Sequence, residues 1–170
     1  IFASVDNNAR TMAESAGLRL YADFTTGAID HTIAVSGYSI ERRSIDGGTT
    51  IYNGDRNGLH YQGATDIGAT ARAVFGLDRV TEAFAEDGAW SADTGDATTT
   101  SAYAELTWAL GETLDLSASL RHDDHSAFGS FDVGRVALAW RPNSDWTIRG
   151  QAGTGYRAPS LFELYSAAYG

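Results

Sequence analysis

Residues Gly153-Thr154-Gly155-Tyr156-Arg157-Ala158 fit the G-x-G-x-x-G/A dinucleotide fingerprint. In that motif glycines let the backbone approach a pyrophosphate seated on a helix N-terminus. The chemistry needs a buried parallel strand before the motif and a helix opening directly after it. Here the preceding residues alternate apolar and polar, and Pro159 falls where the helix would be extending. The glycine pair is therefore expected to serve a strand end. Gly153 and Gly155 remove side chains so that another backbone can come close, and Pro159 stops the ladder. Alternation places Tyr156 on the apolar side and Arg157 on the polar side. Ser160-Leu161-Phe162-Glu163 fits the S-x-x-E capping box, so a short helical turn should run to Tyr165.

His122, Asp123, Asp124 and His125 are the one cluster with metal-site chemistry. A zinc hydrolase needs three directed ligands and a general base. Neighbours along a strand point to opposite faces, so these four converge only if the strand has already ended. An acidic loop tip is the simpler expectation. Glu86, Asp87, Asp93 and Asp96 supply hard oxygen ligands in a second acidic stretch, which suits calcium better than zinc. No other cofactor is implied. The serines show no G-x-S-x-G elbow and nothing marks a pair of catalytic carboxylates, so no enzyme is expected. Cysteine is absent, which excludes disulfides and thiolate metal sites. The net charge is −10 and all 12 basic residues are arginine, which argues against nucleic acid as a partner.

The elements that must carry these residues are strands. Helical periodicity is weak, whereas period-two alternation recurs. Trp146, Ile148 and Ala152 oppose Thr147, Arg149 and Gln151. Val136, Leu138 and Trp140 oppose Arg135, Ala137 and Ala139. The same pattern runs through 114–121, 103–110 and 18–24, with weaker strands near 31–41, 58–66 and 70–82. About eight strands result. Short breaks at 26–28, 66–68, 111–112 and 142–144 alternate with long polar stretches at 41–58, 86–100 and 122–130. Short turns at one end and long loops at the other are the organisation of an antiparallel transmembrane β-barrel meander. Trp108, Trp140 and Trp146 lie on apolar faces beside the short turns, as an aromatic girdle at a membrane interface requires. The core of a soluble sandwich would accept the same rings.

The segment "GTGYRAPSLFELYS" is very similar to the G-x-G-[FY]-R-A-P-[ST]-x-x-E-L-Y motif of TonB-dependent outer-membrane receptors. "ASLRHDDHSAFGSFDVGRVALAWRP" and "TSAYAELTW" resemble the strands before that motif, with a flavour nearest the cobalamin-receptor branch. The resemblance is strong from about residue 100 onward and diffuse before it. It implies an all-β chain forming an internal portion of a 22-stranded type of barrel, with plug domain, TonB box and final strands outside residues 1–170. It implies outer-membrane lipid around the barrel, a TonB complex that supplies energy, and a scarce nutrient such as cobalamin or a ferric siderophore. Some cobalamin receptors order their outer loops with calcium, which adds to the interest of Asp87, Asp93 and Asp96. Arg157, Asp124, His122 and Tyr165 are the candidates for ligand contact. For Arg157 the competing expectation is a structural ion pair with Glu163, itself a capping residue. The alternatives are a passive porin or structural outer-membrane barrel, and a soluble β-sandwich binding module.

Overall fold

The computed structural model describes residues 8–88 and 92–165, apart from the side chain of Phe162. It contains eight strands and one short helix: β1 (Arg10–Thr26), β2 (Ile29–Ile45), β3 (Thr49–Ile67), β4 (Ala71–Gly88), β5 (Ala92–Leu110), β6 (Leu114–His125), β7 (Gly129–Asn143), β8 (Trp146–Gly153) and α1 (Leu161–Tyr165). The strands form one sheet in sequence order, each antiparallel to the next. The sheet does not close on itself, since β1 pairs only with β2 and β8 only with β7.

Register sorts the side chains into two faces. One row runs Leu106, Ala118, Val136, Ala152, and another runs Leu20, Val35, Leu59. This outer face holds most of the large exposed apolar residues, among them Leu18, Leu59, Leu77, Leu120 and Val136. The inner face carries Arg19, Arg56, His60, Gln62, Asp78, Glu105, Arg121, Arg135 and Gln151 on the intervening positions. In a water-filled setting such an outer face would be a large apolar liability. Against lipid it is the favoured arrangement.

One end of the sheet carries the tight turns after β1, β3, β5 and β7. Gly27, Gly68 and Gly111 take φ of 60°, 64° and 72° there, a region that favours glycine. The last turn has no glycine. The Asn143 side-chain oxygen instead accepts hydrogen bonds from the amides of Asp145 (3.0 Å) and Trp146 (3.1 Å), closing it as an Asx turn.

The described parts of the long polar stretches are strands and short turns rather than loops. Residues 41–58 are strand on both sides of a turn at 46–48, and β6 runs on to His125 with a turn at 126–128. The outer face is apolar over 59–67 of β3 and 102–110 of β5, about nine residues, which is what a tilted strand needs to cross a bilayer. Beyond that level the outer face turns polar, with Asn57, Asp55, Thr94 and Asp96 at outward positions. The hydrophobic alternation then fades while the backbone ladder continues, and the extra length reads as loop from sequence.

Trp108 and Trp140 lie on the outer face close to the tight turns, 42% and 46% exposed, and Trp146 shares their side by alternation. A second aromatic group escaped the sequence reading. Phe24 stacks on His31 (4.9 Å), His31 on Tyr61 (5.9 Å), and Phe75 meets Tyr61 edge-on (6.4 Å) on the outer face of β1–β4. The His31 ring bonds the Tyr61 and Thr26 hydroxyls, so its polar atoms are satisfied on an apolar face.

Candidate functional site

The inner wall is tied across strands by charge. The three guanidinium nitrogens of Arg121 on β6 donate to Asp123 (2.9 Å), to Asp78 on β4 (3.1 Å) and to Ser101 on β5 (2.8 Å). The same guanidinium lies over the Tyr103 ring at 5.8 Å. Asp78 also contacts the His60 ring from β3, and its side chain is only 19% exposed. One arginine thus links three strands, because alternation puts every one of these residues on the same face. Toward the tight turns, Arg72 pairs with Asp66 and Arg141 with Asp115, continuing a mixed-charge inner wall. These residues suit contact with polar matter and water inside a barrel.

The segment after β8 folds back along this wall. β8 ends at Gly153, whose own position is crowded: a Cβ there would sit 2.9 Å from the Gly134 carbonyl oxygen. Thr154 then bonds the Gly134 backbone through its amide and hydroxyl. Because the strand has ended, Tyr156 does not continue the alternation onto the apolar side. It turns inward and stacks on Phe131, a residue of the inner face, at 3.8 Å. Gly155 does not serve a close approach either, since a Cβ there would meet nothing within 4 Å.

The capping box forms as its spacing predicts. The Ser160 amide donates to Glu163 (2.8 Å), the Glu163 amide donates back to the Ser160 hydroxyl (3.2 Å), and Leu164 N donates to Ser160 O (3.0 Å). Arg157, 80% exposed, donates to both carboxylate oxygens of Glu163 at 2.9 and 3.0 Å. The Ser160 amide, and after it Arg157, hold the Glu163 carboxyl below its ordinary value. Arg157 therefore sits in the structural ion pair. Pro159 does not stop the ladder, which has already ended at Gly153; it lies in the extended link before the helix. Tyr165 ends α1 against the inner wall of β4 and β5, 6.3 Å from Phe84, with its hydroxyl donating to the Asp96 carbonyl (3.3 Å).

The structure does not gather the acidic candidates. β6 persists through residues 122–125, so His122 and Asp124 point outward and Asp123 and His125 inward. The expected loop tip is a strand. His122 bonds Asp132 (2.8 Å) and Asp124 accepts from Ser130 (3.1 Å), both on the outer face away from the inner wall. Asp87 and Asp96 likewise lie on the outer face, whereas Asp93 lies on the inner one. Among the described residues no group of three or more His, Cys, Asp or Glu could hold a metal ion. Alternation through 114–121 puts Arg121 on the polar face, but neither it nor Asp78 stood out as a site, because their pairing joins strands forty-three positions apart.

A family profile described as TonB dependent receptor-like, beta-barrel matches residues 3–170. The chain belongs to this family. Its eight strands are a portion of such a barrel, and the family is one of bacterial outer-membrane receptors and transporters rather than enzymes. Among curated proteins it is 33% identical over 55 residues to the vitamin B12 transporter BtuB of Vibrio cholerae. It is 37% identical over 62 residues to the iron-regulated outer membrane virulence protein of the same species. These matches cover 32% and 36% of the chain but only 9% and 10% of the relatives. Among solved structures the siderophore receptor PirA of Pseudomonas aeruginosa superposes with a TM-score of 0.75 at 15% identity, over 91% of this chain and 29% of PirA. The copper transporter OprC superposes with a TM-score of 0.68 at 16% identity, over 89% of this chain and 31% of its own length. These structural likenesses establish the barrel fold.

Proposed function

We propose that residues 1–170 form part of the wall of an energy-coupled receptor that takes up a scarce, bulky nutrient, cobalamin or a ferric chelate. The observation that carries this reading is the folded-back segment at 154–165. It lies along the inner wall, with Tyr156 on Phe131 and Tyr165 on Phe84. A passive pore works by an open lumen, whereas a chain that covers its own inner wall suits gated passage. The mixed-charge inner face supports a polar cargo, and curated relatives named for vitamin B12 transport and for iron regulation support these two nutrient classes. Energy would come from the TonB complex, acting through a part of the receptor outside these residues.

The test is uptake by whole cells that lack their own cobalamin and siderophore receptors and express the full-length receptor. Radiolabelled cyanocobalamin and a panel of radiolabelled ferric siderophores are supplied, with and without a protonophore. One ligand should accumulate only in energised cells. Accumulation indifferent to the protonophore would mean a passive pore and overturn the reading.

A further inference from the structure

The strand β5 outlasts its neighbour. Its ladder with β4 runs the full length to the Asp87–Ala92 pair, but its ladder with β6 begins only at Thr99–His125. The β6–β7 hairpin turns back at 126–128, so residues 92–97 of β5 rise beyond it without a neighbouring strand on that side. Thr98 marks which groups face that side: its carbonyl accepts from Ser126 N (2.9 Å) and its amide donates to Ser126 Oγ (3.0 Å). In an antiparallel strand every second residue aims its amide and carbonyl the same way, so Asp96 and Thr94 share the direction of Thr98. Tyr165 occupies the Asp96 carbonyl. The Asp96 amide and both backbone groups of Thr94 have no partner on that side among the described residues.

An unpaired row of amides and carbonyls is a template for another strand unless something blunts it. The usual protections are a lysine, a proline or a bulge. None of these three is present here: residues 81–110 contain no Lys, Arg, His or Pro, and the β4–β5 register is unbroken, so the inward Asp93 and the Tyr165 hydroxyl of α1 on the Asp96 carbonyl are the protection the described residues give this edge. The edge is threonine-rich and acidic, with Asp93 on its inner face and Asp87 and Asp96 on its outer face. We propose that the edge of β5 at 92–97 is a docking site for an extended basic polypeptide of a partner outside the cell, which adds as a strand beside β5. Main-chain bonds to Thr94 and Asp96 give the pairing, and lysine or arginine side chains alternate between Asp93 on one face and Asp96 on the other. The incoming strand takes the Asp96 carbonyl from Tyr165, so docking releases the end of α1.

The experiment uses the full-length receptor in detergent micelles and a fluorescein-labelled peptide of alternating lysine and valine. A second peptide of the same sequence carries N-methyl groups on the amides that would face β5. Fluorescence anisotropy should show salt-sensitive binding of the first peptide and loss of binding by the second. Thr94→Pro removes an amide that faces the free side and leaves the β4 ladder intact, so it should weaken binding by about tenfold or more. Tyr165→Phe frees the Asp96 carbonyl and should tighten binding about fivefold, the worth of one net hydrogen bond. Equal binding of both peptides would mean charge attraction alone and overturn the proposal. So would absence of binding by the first peptide. Should Thr94→Pro fail to assemble, the peptide pair on the unaltered receptor still decides.

Discussion

Gly153 and Gly155 stand two positions apart in one motif, and the structure assigns them opposite responses to the same substitution. Gly153→Ala would place a methyl group 2.9 Å from the Gly134 carbonyl oxygen and 3.3 Å from Arg135 Cα, both backbone atoms that cannot rotate away. The same Gly134 carbonyl accepts the Thr154 amide at 2.9 Å, so spreading β7 and β8 also stretches that bond. Overpacking of this kind costs about 1–3 kcal/mol, and replacing a strand glycine returns about 0.5–1 kcal/mol. The net is a loss of about 1–2 kcal/mol. At Gly155 the new methyl meets nothing within 4 Å and the backbone lies outside the left-handed region. There Ala only narrows the unfolded ensemble, a gain of about 0.4–1 kcal/mol. Hydrogen exchange of the 150–160 segment in the full-length receptor reads local opening, where each 1.4 kcal/mol is about tenfold in rate. Gly153→Ala should exchange about 5- to 30-fold faster than the unaltered protein, and Gly155→Ala no faster. Equal effects, or greater harm from Gly155→Ala, would refute the assignment of close approach to Gly153.

Three further substitutions probe the strap and the wall. The Glu163 carboxyl is held low by Ser160 and Arg157, so its contribution is present above the ordinary glutamate range and lost as pH falls through the lowered value; Glu163→Gln should open 154–165 to exchange at neutral pH and remove that acid dependence. Gly95→Ala puts a methyl 2.4 Å from the Tyr165 ring and 2.8 Å from the Phe84 ring, so it should undock α1 as the mobile partner while Phe84 shifts, seen as faster tryptic cleavage after Arg157. Arg121→Met leaves the half-buried Asp78 and Asp123 without their guanidinium and should lower stability by about 1–3 kcal/mol in urea titrations, with Asp78→Asn in the same background recovering part of it.

Alternation carried most of the fold into the sequence. A side-chain period of two, with apolar residues on one face, locates β5 to β8 because lipid on one side and water on the other impose a contrast at every step. The upper strand segments lost that contrast, since the outward positions of 41–58 and of the described part of 86–100 turn polar, and backbone pairing makes these segments strands. The cap at Ser160 and Glu163 was legible because its bonds lie within four residues of chain. The fate of Tyr156, and the reach of Arg121 to Asp78 forty-three positions away, depend on which strands become neighbours, and local spacing does not encode that. The metal candidates failed to gather for the same reason: closeness in sequence on a strand places successive side chains on opposite faces.

The sheet turns one face to lipid and the other to a watery lumen, and adjacent positions on β6 test this arrangement. Leu120, 71% exposed, lies on the outer face within the apolar band, one outward-facing position from its centre at Ala118, and is paired with Ala104 and Gly134. Ser119 lies on the inner face between Glu105 and Arg135. An arginine at mid-bilayer on the lipid side costs about 2–4 kcal/mol, falling to about 0–1 kcal/mol near the interface, as at Trp140. Urea unfolding of the full-length receptor in phospholipid vesicles, followed by tryptophan fluorescence, should show that loss for Leu120→Arg, a smaller one for Trp140→Arg, and little change for Ser119→Arg. Equal tolerance at Leu120 and Ser119, or greater harm at Ser119, would contradict the account.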